Sequence, residues 1–272
     1  MEYKIKDLNI HYEICGEGKP VICIHGYTVD HHLMKSCLEP VFQEEKIQYK
    51  RIYIDLPGMG QTKAVPWIKN ADIMLEVLLE FINYITAGES FLLAAESYGC
   101  YLSMGILKKL QHQTDGVFFL CPCIISDYNE RNLPSFTVVI SEKITDSGDF
   151  ENEIKEFNEM AVISTDETWA DYKTNILPSI KIADKDFLAR YRENGYGFSF
   201  ENDFESLTYN KPSAIITGRQ DDSVGYKDMF KLLDNFPRAG FSILDGAGHN
   251  LQIEQPELFR EYFRNWLKRT RY

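Results

Sequence analysis

One stretch constrains the fold more than any other. Phe91 to Tyr101 reads Phe-Leu-Leu-Ala-Ala-Glu-Ser-Tyr-Gly-Cys-Tyr, an apolar run that stops abruptly at polar residues. Five apolar residues in a row, Phe91 to Ala95, suit a short strand buried on both faces. Beyond the break, Tyr101, Leu102, Ile106, Leu107 and Leu110 recur at helical spacing, with Lys108 and Lys109 left to face water. Strand, sharp turn and helix therefore meet at Ser97. A bend that tight strains its central residue and brings the flanking backbone so close that the residues two before and two after have to be small. Here they are Ala95 and Gly99. The strain has a use, because it holds a hydroxyl out at the end of a sheet and turns the first N–H groups of the helix toward the same point. A serine that merely caps a helix fits the same pattern, so the rest of the chain has to decide.

Upstream, Tyr3–Ile5 and Asn9–Ile14 alternate apolar and polar residues around a turn at Lys6 to Leu8, the pattern of a half-exposed antiparallel hairpin. Val21 to Ile24 is a continuous apolar run, as a central parallel strand would be. It passes into His25-Gly26-Tyr27-Thr28, where glycine lets backbone N–H groups turn toward a ligand, and the N–H of Tyr27 is a candidate oxyanion donor. His25 reads as a residue tying the loop down. Tyr49 to Ile54 is another buried strand, ending in Asp55-Leu-Pro-Gly-Met-Gly60, with Asp55 a loop-fixing acceptor. The third glycine of a dinucleotide fingerprint is missing there. Ala71 to Ile85 is amphipathic with a helical period, and Gly116 to Leu120 is a further strand. Strands alternating with helices imply a mostly parallel sheet covered on both sides.

After Cys121-Pro122-Cys123 the alternation breaks. From 124 to 208 the chain offers short helical patterns instead (Phe150, Ile154 and Phe157; Trp169, Tyr172 and Ile176; Phe187, Leu188 and Tyr191), too long a segment for a plain loop. We read it as a helical cap inserted into a core made of 1–123 and 209–272. It carries 18 Asp and Glu against 8 Lys and Arg, which is most of the chain's net charge of −12. A solvated outer face is the ordinary meaning of such charge; repulsion of anionic substrates at the mouth of a pocket is the sharper one. Strands resume at Ser213–Thr217, which runs into Gly218-Arg-Gln-Asp221-Asp222, and at Gly240–Leu244, which runs into Asp245-Gly-Ala-Gly-His249. A helix over Pro256–Leu267 packs through Leu258, Phe259, Tyr262, Phe263 and Trp266.

Composition excludes several classes. The acidic balance argues against nucleic acid or an anionic membrane surface as partner. No stretch reaches the roughly 18 apolar residues of a membrane span and the N-terminus has no signal-like run, so the expected location is the cytoplasm. Six cysteines within apolar surroundings read as small hydrophobes rather than a disulfide framework.

Taken together, His25-Gly26, the Asp55 loop, the bend at Ser97, Gly218-x-x-Asp221 and Gly248-His249 resemble the α/β-hydrolase superfamily along nearly the whole chain. The resemblance implies an α/β-hydrolase fold with Ser97 as nucleophile, His249 as general base and Asp221 as its orienting acid. Asp222 is the competitor for the acid's role, and the spacing from Gly218 favours Asp221. The N–H groups of Tyr27 and Tyr98 would form an oxyanion hole, and Tyr27, Tyr98, Pro122 and cap aromatics such as Trp169 would line the pocket. That chemistry needs no metal or organic cofactor. A small to medium acyl substrate follows, with a carboxylic ester first and an aminopeptidase, amidase or carbon–carbon bond hydrolase as alternatives. Serine where dehalogenases of this fold carry aspartate argues against halide displacement. From another class, the same fold could serve as a ligand sensor with little turnover.

Overall fold

A computed structural model describes residues 1–44 and 48–271. In chain order it holds β1 (Glu2–Ile5), β2 (Leu8–Cys15), β3 (Lys19–Ile24), α1 (His31–Glu44), β4 (Tyr49–Ile54), α2 (Ala71–Thr86), β5 (Phe91–Glu96), α3 (Tyr98–Leu110) and β6 (Thr114–Leu120). Next come β7 (Ile140–Ser141), α4 (Glu151–Met160), β8 (Ile163–Ser164), α5 (Asp166–Asn175), α6 (Leu177–Ile182) and α7 (Lys185–Gly195). They are followed by β9 (Ser213–Gly218), α8 (Lys227–Lys231), β10 (Ala239–Leu244), α9 (Leu251–Glu254) and α10 (Pro256–Arg269).

Eight strands form one sheet in the order β1-β2-β4-β3-β5-β6-β9-β10. The hairpin β1–β2 joins it antiparallel, and every pairing from β4 to β10 is parallel. Burial explains the composition of the strands. All six residues of β5 and of β9 are buried, whichever face they point to, so both faces are covered and no polar alternation is possible. The edge strands β1 and β10 keep the mixed pattern of partly solvated elements. Helix α1 packs on α10, and α2 on α3. In α2 the side chain of Asn70 accepts the N–H of Ile73, which closes the first turn.

Helix α1 has no counterpart among the sequence expectations. Pro40 lies inside it and three of its first six residues are His31, His32 and Lys35, which hide the apolar stripe of Leu33, Met34, Leu38, Val41 and Phe42. In α10 the buried side chains are Phe259, Phe263, Trp266 and Leu267, whereas Leu258, expected to pack, is exposed. The segment between β6 and β9 holds four α-helices and only the two-residue pair β7–β8 as strand. All six cysteines are free thiols. No helix among the described residues is long and apolar enough to cross a membrane.

The core centres on Phe118 of β6, whose ring meets Phe259, Phe263 and Trp266 of α10. Phe118→Ala is expected to cost ~3–5 kcal/mol, read as a lower urea midpoint, because the covering rings cannot collapse into the space left.

Candidate active site

The bend at Ser97 takes the strained form that its neighbours require. Ser97 has φ +51° and ψ −117°, a conformation non-glycine residues rarely adopt, and its side chain makes no capping bond to α3. Its backbone is fixed from one side, where Ser97 N–H donates to Leu120 O (3.0 Å) and Cys123 N–H to Ser97 O (3.1 Å). On the other side Gly99 lies against the end of β3, where a Cβ would overlap the carbonyl oxygens of Ile24 and His25. The hydroxyl is thereby left free for a different partner.

That partner is His249. Its Nε2 lies 2.9 Å from Ser97 Oγ and its Nδ1 lies 3.0 Å from Asp221 Oδ2. Three side chains from the ends of β5, β9 and β10 thus meet, although 152 residues separate the first from the last. Asp221 is fully buried, and its Oδ1 accepts the N–H groups of Ser223 (2.9 Å) and Val224 (3.1 Å). Burial penalises its charge, but His249 and those N–H groups outweigh it and lower its pKa. Asp222 makes no bond to His249 and lies instead in the wall of the adjoining cavity, with its pKa raised by burial and by Asp221. The imidazole of His249 also loses by burial, yet the carboxylates of Asp221 and Glu96 raise it to about 9.

The cavity in front of Ser97 has a volume of about 110 Å³. Its walls are mostly apolar (Val29, Leu33, Met160, Tyr172, Ile176 and Ile180), and Tyr27 completes one side. The backbone N–H of Tyr98 is the first of α3. Like that of Tyr27, it donates to no protein acceptor among the described residues. Three expected lining residues are elsewhere. Trp169 is buried among Phe150, Phe157 and Tyr172, with its indole N–H donated to Asp146 (2.7 Å), because a large ring with one polar tip completes the core of the helical segment. Pro122 is buried below the surface and does not reach the cavity. Tyr98 also turns away, its hydroxyl bonded to Tyr191 (2.8 Å) and to Tyr196 O (2.9 Å). Among the described residues no carboxylate of 124–208 lines the cavity.

Two residues with functional geometry escaped the sequence reading. Glu96 sits beside Ser97 with Oε1 3.4 Å from His249 Nε2; its signal was a carboxylate closing a fully apolar strand. Glu254 accepts Gly248 N–H (2.6 Å) and Val162 N–H (2.7 Å), tying the His249 loop to the helical segment, and nothing in the sequence marks it.

The remaining polar clusters have structural uses. His25 is buried, with Nε2 accepting Leu56 N–H (3.0 Å) and Nδ1 on Gly26 O (2.7 Å), and burial lowers its pKa. Asp55 accepts His31 N–H (2.9 Å) and Gln61 N–H (2.8 Å) and pairs with His31 Nδ1 (2.7 Å). His11, Glu13 and His31 are grouped as metal ligands could be. Burial opposes a charge on His31, but Asp55 outweighs it and raises the pKa; the Nδ1 contact with Asp55 and the 3.3 Å approach of Nε2 to Glu13 account for the group as a side-chain cluster. Cys121 stands near Asp221 and His249, but burial pushes its thiol well up, leaving it a poor ligand.

A family model described as "Alpha/beta hydrolase family" matches residues 21–262. The chain is 23% identical over 252 residues to a pimeloyl-[acyl-carrier protein] methyl ester esterase of Legionella pneumophila (strain Paris), covering 93% of this chain and 96% of that one. An alpha/beta superfamily hydrolase from Oenococcus oeni PSU-1 superposes with a TM-score of 0.92 at 33% identity over the whole of both chains. A thermophilic esterase from Thermogutta terrifontis shares the fold, with a TM-score of 0.72 at 19% identity, covering 97% of this chain and 95% of that one.

The contact at Gly99 makes a direct prediction. Gly99→Ala has backbone on the opposing side and no flexible side chain to move, so it is expected to destabilise the chain by ~1–3 kcal/mol, measured as a fall in Tm.

Proposed function

Because this chain belongs to the alpha/beta hydrolase family, we propose that it is a serine hydrolase that cleaves a small to medium carboxylic ester through an acyl-enzyme. The observation that carries this reading is the continuous line of contact from Ser97 Oγ through His249 to Asp221, opening on a small, mostly apolar cavity. Serine is a weak nucleophile at neutral pH. In the proposed mechanism His249 Nε2 takes the Ser97 proton as Oγ attacks the carbonyl carbon, and then gives it to the leaving alkoxide. Asp221 holds the tautomer with Nδ1 protonated and stabilises the imidazolium. The N–H groups of Tyr27 and Tyr98 receive the oxyanion, a contribution of ~10²–10³ in rate for each donor of this kind. Water then repeats the sequence on the acyl-enzyme. Residues 124–208 act as a cap, supplying Met160, Tyr172, Ile176 and Ile180 to the acyl pocket.

The ester is preferred because Val29, Leu33, Met160, Ile176 and Ile180 offer an acyl chain apolar contacts in the cavity and because the Legionella relative is named as a methyl ester esterase. An aminoacyl substrate is the second reading. Its support is Asp222, a carboxylate in the cavity wall that could receive an ammonium group.

A fluorophosphonate probe is expected to label the wild-type chain and not Ser97→Ala, which should also lose ~10⁴-fold or more in kcat. Across p-nitrophenyl esters, kcat/KM should peak at short acyl chains and fall as the chain outgrows about 110 Å³. A preference for aminoacyl amides would favour the second reading. Because only the neutral imidazole accepts a proton and His249 is raised to about 9, the labelling rate of the free enzyme should climb with pH toward that value.

A further inference from the structure

His249 has two carboxylate neighbours, and the proposed mechanism uses one. Asp221 holds Nδ1; Glu96 stands at the opposite edge of the ring, with Oε1 3.4 Å from Nε2, the same nitrogen that faces Ser97 Oγ at 2.9 Å. Glu96 is almost wholly buried, and its Oε2 has no hydrogen-bond partner among the described residues. A carboxylate oxygen left this way is costly unless it does something its surroundings require. It is also built in tightly, since a Cβ on Gly26 would collide with that oxygen.

Resting on the reading of His249 as general base, we propose that Glu96 is a positioning residue. Its carboxylate, held against Nε2, stabilises the imidazolium and so sets the pH at which His249 becomes free to accept the Ser97 proton. The two protonation states of the ring make opposite demands on this contact. A neutral imidazole presents its Nε2 lone pair to the oxygen of an ionised Glu96, which is repulsive; an imidazolium presents N–H, which is attractive. Ionised Glu96 therefore withholds the base in the resting enzyme and then stabilises the ring once it has taken the serine proton.

The surroundings leave this effect little opposed. From the loop after β9, Asp221 bonds His249 and Asp222 lies in the cavity wall, and both act in the same sense as Glu96 on His249. Arg131 acts against it, with its guanidinium engaged by Ile125 O and Ser223 O (both 2.8 Å). Glu254 on α9 bears on Asp221. The thiols of Cys37, Cys100 and Cys121, on α1, α3 and the end of β6, complete the shell and stay protonated because burial raises all three. Burial, with Asp221 adding to it, lifts Glu96 itself to about 7 against the lowering effects of His249 and the Gly26 N–H, so the carboxylate ionises before the imidazole is freed.

The test compares the full-length wild type with Glu96→Gln and Glu96→Asp. Two readouts are followed from pH 5 to pH 10: the second-order rate of fluorophosphonate labelling, and the ring chemical shifts of His249 in protein carrying labelled histidine. Glu96→Gln keeps the shape and removes the charge. It should move both the ascending limb and the His249 titration to lower pH by ~1–3 units, the effect of a charge at this range. The plateau labelling rate should fall about tenfold, as the imidazolium is less stabilised. Glu96→Asp retracts the charge by one methylene and should fall between the two proteins; it carries the test alone if Glu96→Gln does not fold. A His249 titration unmoved in a folded variant overturns the proposal, since a carboxylate that only filled space would leave it unmoved. Labelling of Ser97→Ala at the wild-type rate would instead overturn the nucleophile reading beneath it, so the two failures are distinct.

Discussion

The start of α3 lies against the end of β3 at backbone distance, and the arrangement of the candidate site depends on that contact. With hydrogen at Gly99 the helix can sit on the carbonyls of Ile24 and His25. The amide and carbonyl of Ser97 are meanwhile held from the β6 side by Leu120 and Cys123. Clamped from both strands, Ser97 keeps a positive φ that costs an isolated peptide of order 1–3 kcal/mol. The clamp turns that cost into direction. A relaxed serine would fold its hydroxyl back onto the helix N-terminus as a cap; this one is aimed outward, and the N–H of Tyr98 is left without a protein acceptor.

Around this bend the chain buries several carboxylates, and each is handled differently. Asp55 is satisfied by two backbone N–H groups and a histidine. Asp221 has two N–H groups on one oxygen and His249 on the other, so its charge survives burial and its pKa falls. Glu254 receives three N–H groups from two distant parts of the chain, a geometry that locks the His249 loop to the segment starting at Val162. Glu96 alone of these four has an oxygen with no donor among the described residues. Its charge is eased only by the nearby Gly26 N–H and by His249, against burial and Asp221, and it is the one beside the nitrogen facing Ser97.

The helical segment between β6 and β9 is anchored at the bend by aromatic rings rather than by charge. Tyr98 stacks on Tyr101 and Tyr196 and bonds Tyr191, while Tyr27 donates its hydroxyl to Leu188 O. Burying these rings binds α7 to the residues flanking Ser97, each ring offering a large apolar area with one polar tip to satisfy. Glu201 enters that seam by accepting the Tyr101 hydroxyl, and the other acidic residues of the segment lie outside it. Asp146 and Glu153 pair with Lys173 and Lys181 near the surface, and most of the others face water. The segment's charge is therefore a solvated face, and its share of the cavity wall is apolar.

Strand runs were legible because a buried parallel strand must be apolar on both faces, and that local requirement is written residue by residue in Val21–Ile24, Phe91–Ala95 and Ser213–Thr217. Small residues around Ser97 were legible for the same reason: a tight crossing excludes a Cβ wherever it occurs. Helix α1 was not, because its stripe is defined by what α10 and the sheet cover, and histidines and a proline interrupt it in sequence. Trp169 could be recognised as aromatic and buried, but not as belonging to the helical core rather than the cavity, since both surroundings favour the same residue. The sequence by itself determined an alternating α/β chain with a strained serine at one bend and an aspartate and a histidine at two later strand ends. Tertiary structure alone decided that those three side chains touch, that Asp221 rather than Asp222 bonds His249, and that Glu96 shares a nitrogen with Ser97. Contacts across 152 residues depend on the register and twist of strands paired in space, and no local pattern of residues records which loop ends will be neighbours.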